Sequence, residues 1–154
     1  MERTIARMIT LLGRKSQICI GNELRKYNIT AAEQPFFMAL QRHPGVTQEA
    51  LTAIVCVDKA ATARAVKSLE EKGYLTRMQD PQDRRQNRIY PTDAAKQIAH
   101  AVRDTLHHFN DLLTQGIDAQ SLDIVSAALL KMEENLAALS EAAAQGGREN
   151  DANA

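Results

Sequence analysis

Apolar residues recur at helical spacing through most of the chain. Positions three and four apart lie on one face of an α-helix, so this spacing predicts amphipathic helices. One such helix is predicted from Glu2 to about Lys26 and another from Thr92 to about Leu113. From Asp118 onward the spacing alternates between three and four, which is typical of a coiled-coil seam. The apolar positions of that seam are Leu122, Val125, Leu129, Met132, Leu136 and Leu139. A glycine pair at 146–147 predicts the end of the helix and a flexible tail over 146–154.

Three shorter helices are predicted in the middle of the chain from their N-terminal caps. Thr30 and Glu33 have the spacing of a capping box, in which each side chain accepts a hydrogen bond from the other residue's N–H. Thr47 and Asp58 are caps for two further helices, and Gly73 ends the second of them. The connection between these two helices is so short that they must cross at a large angle. The pattern therefore predicts a helix-turn-helix.

The second helix of this motif has one core face and one small, cationic face. At about 100° per residue, the predicted core face carries Ala61, Thr62, Ala65, Val66 and Leu69. The opposite face carries Ala60, Ala63, Arg64 and Lys67, with Lys59 at its edge. Cations on a helix can be merely solvated, but in DNA-binding proteins this second helix enters the major groove. We therefore predict that these five residues contact DNA. In the first helix of the motif, Leu51 and Ile54 are the predicted buried positions.

A β-hairpin is predicted directly after the helix-turn-helix. Residues 74–79 and 87–91 have the composition of strands, and Pro91 should end the second strand because it has no N–H to donate. The turn between the strands, Asp-Pro-Gln-Asp-Arg-Arg-Gln, carries adjacent cations at its tip. A hairpin in this position can lie along the DNA backbone.

The arginines of this hairpin are predicted DNA contacts: Arg84, Arg85 and Arg88. We expect Asp83 to hold the Arg85 guanidinium in place, so that this planar cation suits the narrow minor groove of A·T-rich DNA. Arg84 points to the other side of the ribbon and should contact a phosphate.

Charge is balanced over the whole chain but unevenly distributed. There are 19 Lys and Arg and 19 Asp and Glu. Between Asp58 and Tyr90 there are eight basic and five acidic residues, whereas from Asp118 to Ala154 there are two basic and seven acidic residues. A basic middle and an acidic carboxyl-terminal part indicate that a polyanion binds the middle only.

Several classes of protein are disfavoured. No apolar run approaches the roughly 20 residues of a membrane span, and the amino-terminal residues lack the apolar core of a signal peptide. Two cysteines fit neither a disulfide framework nor a zinc site, so we expect reduced thiols, a cytoplasmic protein and no membrane partner. There is no glycine-rich phosphate loop or nucleophile motif. We expect no enzyme activity, no cofactor and no metal.

In these segments the sequence resembles the MarR (multiple antibiotic resistance regulator) family of bacterial transcription factors. The likeness runs from Ile5 to about Leu139. Its most specific element is Asp-Pro-Gln-Asp-Arg-Arg at 80–85 followed by Arg-Ile-Tyr-Pro-Thr at 88–92, which is similar to the wing of the family. Residues 43–75 are similar to the helix-turn-helix, with Asp-Lys-Ala at the start of the recognition helix.

The resemblance implies a mostly α-helical protein with a small β-hairpin. It implies a winged helix-turn-helix lobe, 29–91, and a helical dimerisation region, 1–28 and 92–145, in an intertwined homodimer. Such a dimer would bind a palindromic operator, usually as a repressor, and a small-molecule effector would bind between the two regions. Asp83 and Arg85 fill the Asp-x-Arg places of the wing, with the arginine reaching the minor groove. The predicted dimer interface includes Ile5, Ile9, Leu122, Leu129 and Leu136; alternatively, these apolar faces form an internal helical core.

The recognition helix departs from the family at two positions. Residues 60 and 63 often carry hydroxyl groups in the family, but here both are alanine. A methyl group is suited to contact with thymine rather than to hydrogen bonding. We therefore expect sparse direct reading of bases and more dependence on the wing and on DNA shape.

The signal that such a regulator would sense is left open by the residues. An anionic or phenolic effector is usual in the family. A redox response would use Cys19 or Cys56, but their apolar neighbours predict buried thiols. A metal response would use His100, Asp104 and His108, which share a helix face. A helical protein-binding adaptor is a different class, and it would not explain the cationic face.

Overall fold

The computed structural model describes residues 4–83 and 85–151, with side chains as far as Ser140. These residues form six α-helices and three β-strands. The helices are α1 (Ile5–Leu24), α2 (Gln34–Arg42), α3 (Gln48–Val55), α4 (Lys59–Glu71), α5 (Asp93–Leu113) and α6 (Ala119–Asp151). The strands are β1 (Val46–Thr47), β2 (Leu75–Gln79) and β3 (Asn87–Pro91). Residues up to Asn110 form one compact unit, and those from Asp111 form a second.

Helices α3 and α4 begin directly after the predicted caps, whereas α2 begins at Gln34, four residues after Thr30. The Glu33 carboxylate accepts a hydrogen bond from the Thr30 N–H at 2.8 Å, and the Thr30 hydroxyl accepts one from the Glu33 N–H at 3.3 Å. This reciprocal pair confirms the capping box. Thr47 and Asp58 each accept from the N–H three residues ahead, at 3.2 Å and 2.7 Å. Because losing such a cap typically costs about 1 kcal/mol, these residues determine where α3 and α4 start.

The three strands form one antiparallel sheet in the order β1-β3-β2. The hairpin of β2 and β3 was predicted, and β3 ends at Pro91 as expected. β1 was not predicted, because it is only two residues long and its second residue, Thr47, also caps α3. Val46 pairs with Ile89 and Thr47 with Arg88, so β3 is the central strand. The hairpin is therefore joined to the helix-turn-helix by backbone hydrogen bonds.

The hydrophobic core lies in the first unit and includes the inner face of α4. Thr62, Val66 and Leu69 are fully buried, which confirms the predicted division of that helix. In α3 the prediction is half right: Leu51 is fully buried, but Ile54 is 42% exposed. Helical spacing identifies a face but not the extent to which neighbouring elements cover it, and α3 is covered only along the line of Leu51.

The ends of the long helices differ from the predicted ones. Thr4 caps α1, and the predicted start at Glu2 lies outside the described residues. α6 continues through Gly146 and Gly147 to Asp151, so the predicted helix stop at this pair is wrong. Glycine within a helix costs about 1 kcal/mol relative to alanine, which weakens a helix without ending it. The flexible tail at 146–154 and the division into lobes stay predictions, and residues 152–154 lie outside the described range.

In the described part of the chain, no helix is both long and apolar enough to cross a bilayer.

Candidate nucleic-acid interface

Helix α4 presents the predicted cationic face to solvent. Its outward residues are all exposed: Lys59, Ala60, Ala63, Arg64 and Lys67. Lys67 lies 3.8 Å from the Glu71 carboxylate, and an exposed pair of this kind contributes little to stability. Both small residues and long cations are thus available on one accessible helix face.

The hydroxyl groups of the half-buried Thr52 and the buried Thr62 connect α3 to α4. The Thr52 Oγ1 lies 2.9 Å from the Gln48 carbonyl and 3.0 Å from the Thr62 Oγ1, which in turn lies 3.0 Å from the Asp58 carbonyl. The two hydroxyl protons are shared among these three contacts. Since a buried hydroxyl without a partner is costly, this chain favours one crossing geometry for the helix-turn-helix.

The cap of α4 carries a negative charge beside the cations. The Ala61 N–H donates to Asp58, and together with the Ala60 N–H and the charge of Arg64 it holds the pKa of Asp58 below its ordinary value. Asp58 is therefore ionised at neutral pH. Its charge is held at the backbone of the helix start, whereas the guanidinium of Arg64 extends from the next turn.

The tip of the hairpin is organised by Asp83. Its carboxylate accepts hydrogen bonds from the Arg85 N–H at 3.0 Å and from the Gln86 side-chain amide at 3.2 Å. Asp83 was expected to hold the Arg85 guanidinium; instead it holds the backbone of that residue. A carboxylate two residues earlier is well placed for the N–H of a turn. Arg85 itself is exposed, and Arg84 lies outside the described residues.

The turn end of the hairpin is braced by a second acidic residue, Asp80, which the sequence did not single out. The Arg88 Nε donates to the buried Asp80 carboxylate at 2.6 Å, and its Nη1 donates to the Gly45 carbonyl at 2.9 Å. Hydrogen bonds from the Gln82 N–H and from Arg88 hold the pKa of Asp80 below its ordinary value. Arg88 thus links both strands of the hairpin to the turn before β1. Its predicted DNA contact stays a prediction, made by a side chain that already has two partners.

Replacing Arg88 by alanine is expected to lower the melting temperature by several degrees, because the buried Asp80 carboxylate would lose its charged partner. Arg85→Ala is the matched control at the exposed tip, and such changes seldom alter stability by more than about 0.5 kcal/mol. Thermal unfolding followed by circular dichroism compares the two variants. Equal melting temperatures would show that the Asp80–Arg88 pair does not brace the fold.

Both cysteines are exposed, contrary to the burial predicted from their neighbours. Residues adjacent in a helix point about 100° apart, so Ile18 and Ile20 do not share the surroundings of Cys19. Cys56 ends α3 in the left-handed backbone region, with φ of 57°. His100 pairs with Asp104 at 2.8 Å. Within the described residues, no group of three or more metal-binding side chains comes together.

The predicted dimer-interface residues lie on surfaces that are open in the single chain. On α1, Ile5 and Ile9 are exposed. On α6, Leu129 and Leu136 are 47% and 64% exposed, and Leu122 is half-buried. Apolar side chains in such rows are unusual on a surface that remains in water.

A cavity of about 350 Å³ opens between α2, α3 and α5. Its apolar wall includes Met38, Ile54 and Leu106. Two arginines and two histidines also line it: Arg42, His43, Arg103 and His107. The described lining contains no carboxylate, so the cavity favours a ligand that is partly apolar and negatively charged. The sequence predicted an effector but not these residues, since they come from separate helices.

Comparison with known proteins identifies the family. The sequence model of the MarR family matches residues 35–86, which cover the whole helix-turn-helix, β2 and the turn of the hairpin but not β3. A MarR transcriptional regulator from Methanosarcina mazei Go1 is 32% identical, with a TM-score of 0.78, and the match covers 86% of this chain and 96% of that one. The HTH-type transcriptional regulator YybA of Bacillus subtilis is 24% identical over 86% of this chain and 88% of that protein.

A third similar structure comes from Listeria monocytogenes. It is a MarR family regulator complexed with a 26mer DNA, 22% identical, with a TM-score of 0.81 over 88% of this chain and 91% of that one. At this identity the likeness concerns the fold. The Methanosarcina relative, matched over nearly its whole length, carries the assignment further: this chain belongs to the MarR family of transcriptional regulators and has their winged-helix DNA-binding fold.

Proposed function

We propose that the protein is a cytoplasmic repressor that binds a palindromic operator as a homodimer and is released by a small-molecule effector. The observation that carries this proposal is the exposed cationic face of α4 directly beside an arginine-bearing hairpin. Two sets of cations on adjacent elements suit the two grooves that a winged helix meets on DNA.

In this proposal α4 lies in the major groove. Arg64 takes a guanine edge through two hydrogen bonds, and Lys67 and Lys59 contact phosphates. Ala60 and Ala63 offer only methyl groups, which suit the methyl group of thymine. The Arg85 side chain enters the adjacent minor groove, and Arg84 contacts the backbone. Support for this arrangement comes from the exposure of the α4 residues and of Arg85, and from the Listeria regulator of the same fold that was crystallised with DNA.

The homodimer is supported by the open apolar rows on α1 and α6. Burying one leucine side chain is worth roughly 1.5–3 kcal/mol, so a second copy of the chain that covers these rows would be strongly held. A two-fold protein then requires two half-sites about 10 base pairs apart, in successive major grooves of one DNA face.

The effector site in this proposal is the cavity between α2, α3 and α5. Arg42 and Arg103 would bind the anionic group, and the wall formed by Met38, Ile54 and Leu106 would bind the apolar part. A redox-responsive regulator of the same fold is a second candidate, because both Cys19 and Cys56 are exposed and accessible to an oxidant.

Selection of bound fragments from the source genome, followed by footprinting, tests the function directly. We expect fragments that share a palindrome, with protection of two half-sites on one face of the duplex. One short, unrepeated site would contradict the dimeric geometry, and recovery of no common sequence would contradict the regulator itself.

Arg85→Ala is expected to weaken operator binding more than Arg84→Ala, because only Arg85 would enter the minor groove. The effect should shrink when the sequence flanking the half-sites is changed from A·T to G·C, since the narrow groove of A·T tracts has the more negative potential. Arg84→Ala should weaken all DNA alike and reduce the salt dependence by about one unit of slope. Fluorescence anisotropy with paired operators measures both. If Arg85→Ala binds the operator within twofold of the wild-type affinity, the tip of the hairpin is a solvated loop that does not contact DNA.

A further inference from the structure

A buried carboxylate joins the start of α2 to the far end of the recognition helix. Glu33 is only 5% exposed, and both of its oxygens have partners on α4 or in its own cap. The Lys72 ammonium donates to the two oxygens at 2.8 Å and 2.7 Å, and the Ser68 hydroxyl donates to Oε1. The Thr30 N–H donates to Oε2. One side chain thus completes the capping box of α2 and holds two residues in the last turn and C-cap of α4.

The charge on Glu33 is maintained by these partners. Burial raises the pKa of Glu33, but the hydrogen bonds from Lys72, Ser68 and Thr30 outweigh it and hold the pKa below its ordinary value. A lowered pKa means that the stabilising contribution is present at neutral pH and is lost only in acid, as the pH falls through that lowered pKa. Within the physiological range the contact is therefore an ion pair between a buried carboxylate and a half-buried lysine side chain.

The contact of Glu33 with Ser68 and Lys72 restricts the orientation of α4 more than apolar packing alone does. Val66 and Leu69 hold α4 against the core by apolar contact, which allows small rotations and shifts of a helix. The ion pair and the Ser68 hydrogen bond have defined lengths and angles, so they select one rotation and one axial position. The Lys72 side chain is 19% exposed and turned toward Glu33, unlike the outward Arg64 and Lys67.

We propose that Glu33, through Ser68 and Lys72, is a positioning residue for DNA recognition, setting the rotation at which α4 presents its outward face to the bases. The inference rests on the proposed use of α4 as the DNA-reading helix. It assigns Lys72 to the interior of the protein and not to a phosphate of the DNA.

The test compares Glu33→Gln, Ser68→Ala and Lys72→Met with the conservative Lys72→Arg, and Glu23→Gln on α1 serves as an exposed control. Each is titrated against the selected operator and against an unrelated duplex of the same length at several salt concentrations. We expect Glu33→Gln and Lys72→Met to lose about tenfold in affinity for the operator, a typical effect of breaking such a network. Affinity for the unrelated duplex and the salt slope should be unchanged, and Lys72→Arg should restore most of the loss.

The readouts separate positioning from other roles. A variant that is partly unfolded would lose affinity for both duplexes equally, and its active fraction and melting temperature would reveal this. Ser68→Ala removes only one hydrogen bond, so it tests the proposal even if Glu33→Gln does not fold. If Lys72→Met lowers the salt slope by about one while Glu33→Gln binds normally, Lys72 contacts phosphate and the proposal is wrong. Equal operator affinity in all variants also overturns it. A wild type that selects no operator would instead contradict the proposed function.

Discussion

Glutamate at both Leu129 and Leu136 is expected to convert the protein from a dimer to monomers and to abolish operator binding. Both leucines lie in the three-four row of α6, and both are largely open in the single chain. Each buried leucine contributes roughly 1.5–3 kcal/mol, and each is present twice in a two-fold interface. A carboxylate in its place must lose its water, which costs several kcal/mol more. Two substitutions per chain should therefore exceed what a typical interface can tolerate.

Light scattering at micromolar concentration measures the result. The wild type should have twice the mass of one chain, and the double variant the mass of one chain. Ala127→Glu adds a carboxylate on the opposite face of the same helix, and it should leave the dimer intact. If the wild type is monomeric, the apolar rows of α1 and α6 do not form a dimer interface. If the double variant is dimeric, the interface lies elsewhere on the chain.

Arg64→Ala is expected to reduce operator affinity by roughly ten- to a hundredfold, the value of about 1–3 kcal/mol for a bidentate contact to guanine. The loss should depend on sequence: the variant should tolerate any base pair at the position that the wild type reads as G·C. Lys67→Ala should weaken all sequences by a similar, smaller factor, because an ammonium beside a phosphate carries no base information.

Operators with single base-pair changes, measured with both variants, distinguish these two kinds of contact. Lys131→Ala removes an exposed cation from α6 and controls for the loss of one positive charge. If Arg64→Ala retains the sequence preference of the wild type, the guanidinium contacts the backbone and bases are read by other groups.

Local features of this fold were predictable because they depend on neighbouring residues. Thr47 and Asp58 begin helices through hydrogen bonds to amides three residues ahead, and that spacing is visible in the sequence. The inner face of α4 follows from helical periodicity for the same reason. What one face touches is not local, so the exposure of Ile54 and of Cys19 could not be predicted from the residues beside them.

The candidate interface shows the same limit. The cations of α4 and of the hairpin tip could be identified from their place in a helix-turn-helix and a turn. The supports of that interface could not, because Glu33 and Lys72 are 39 residues apart and Gly45 and Arg88 are 43 apart. The place of Glu33 in a capping box already explains an acidic residue at that position. Nothing in the local sequence therefore indicates that Glu33 also contacts Ser68 and Lys72.

The segment that carries Glu33 continues directly into Gln34 and Pro35, which line the cavity between α2, α3 and α5. One short stretch of backbone therefore has the effector site of the proposed function on one side and the anchor of the recognition helix on the other. Where a ligand and DNA compete for the position of such a segment, their binding free energies are coupled reciprocally. Operator-bound protein would then have the lower affinity for the ligand, by the same factor by which the ligand weakens DNA binding. Free copies of the regulator would take up the ligand first, and the number of those copies in the cell would set the concentration at which the operator is vacated.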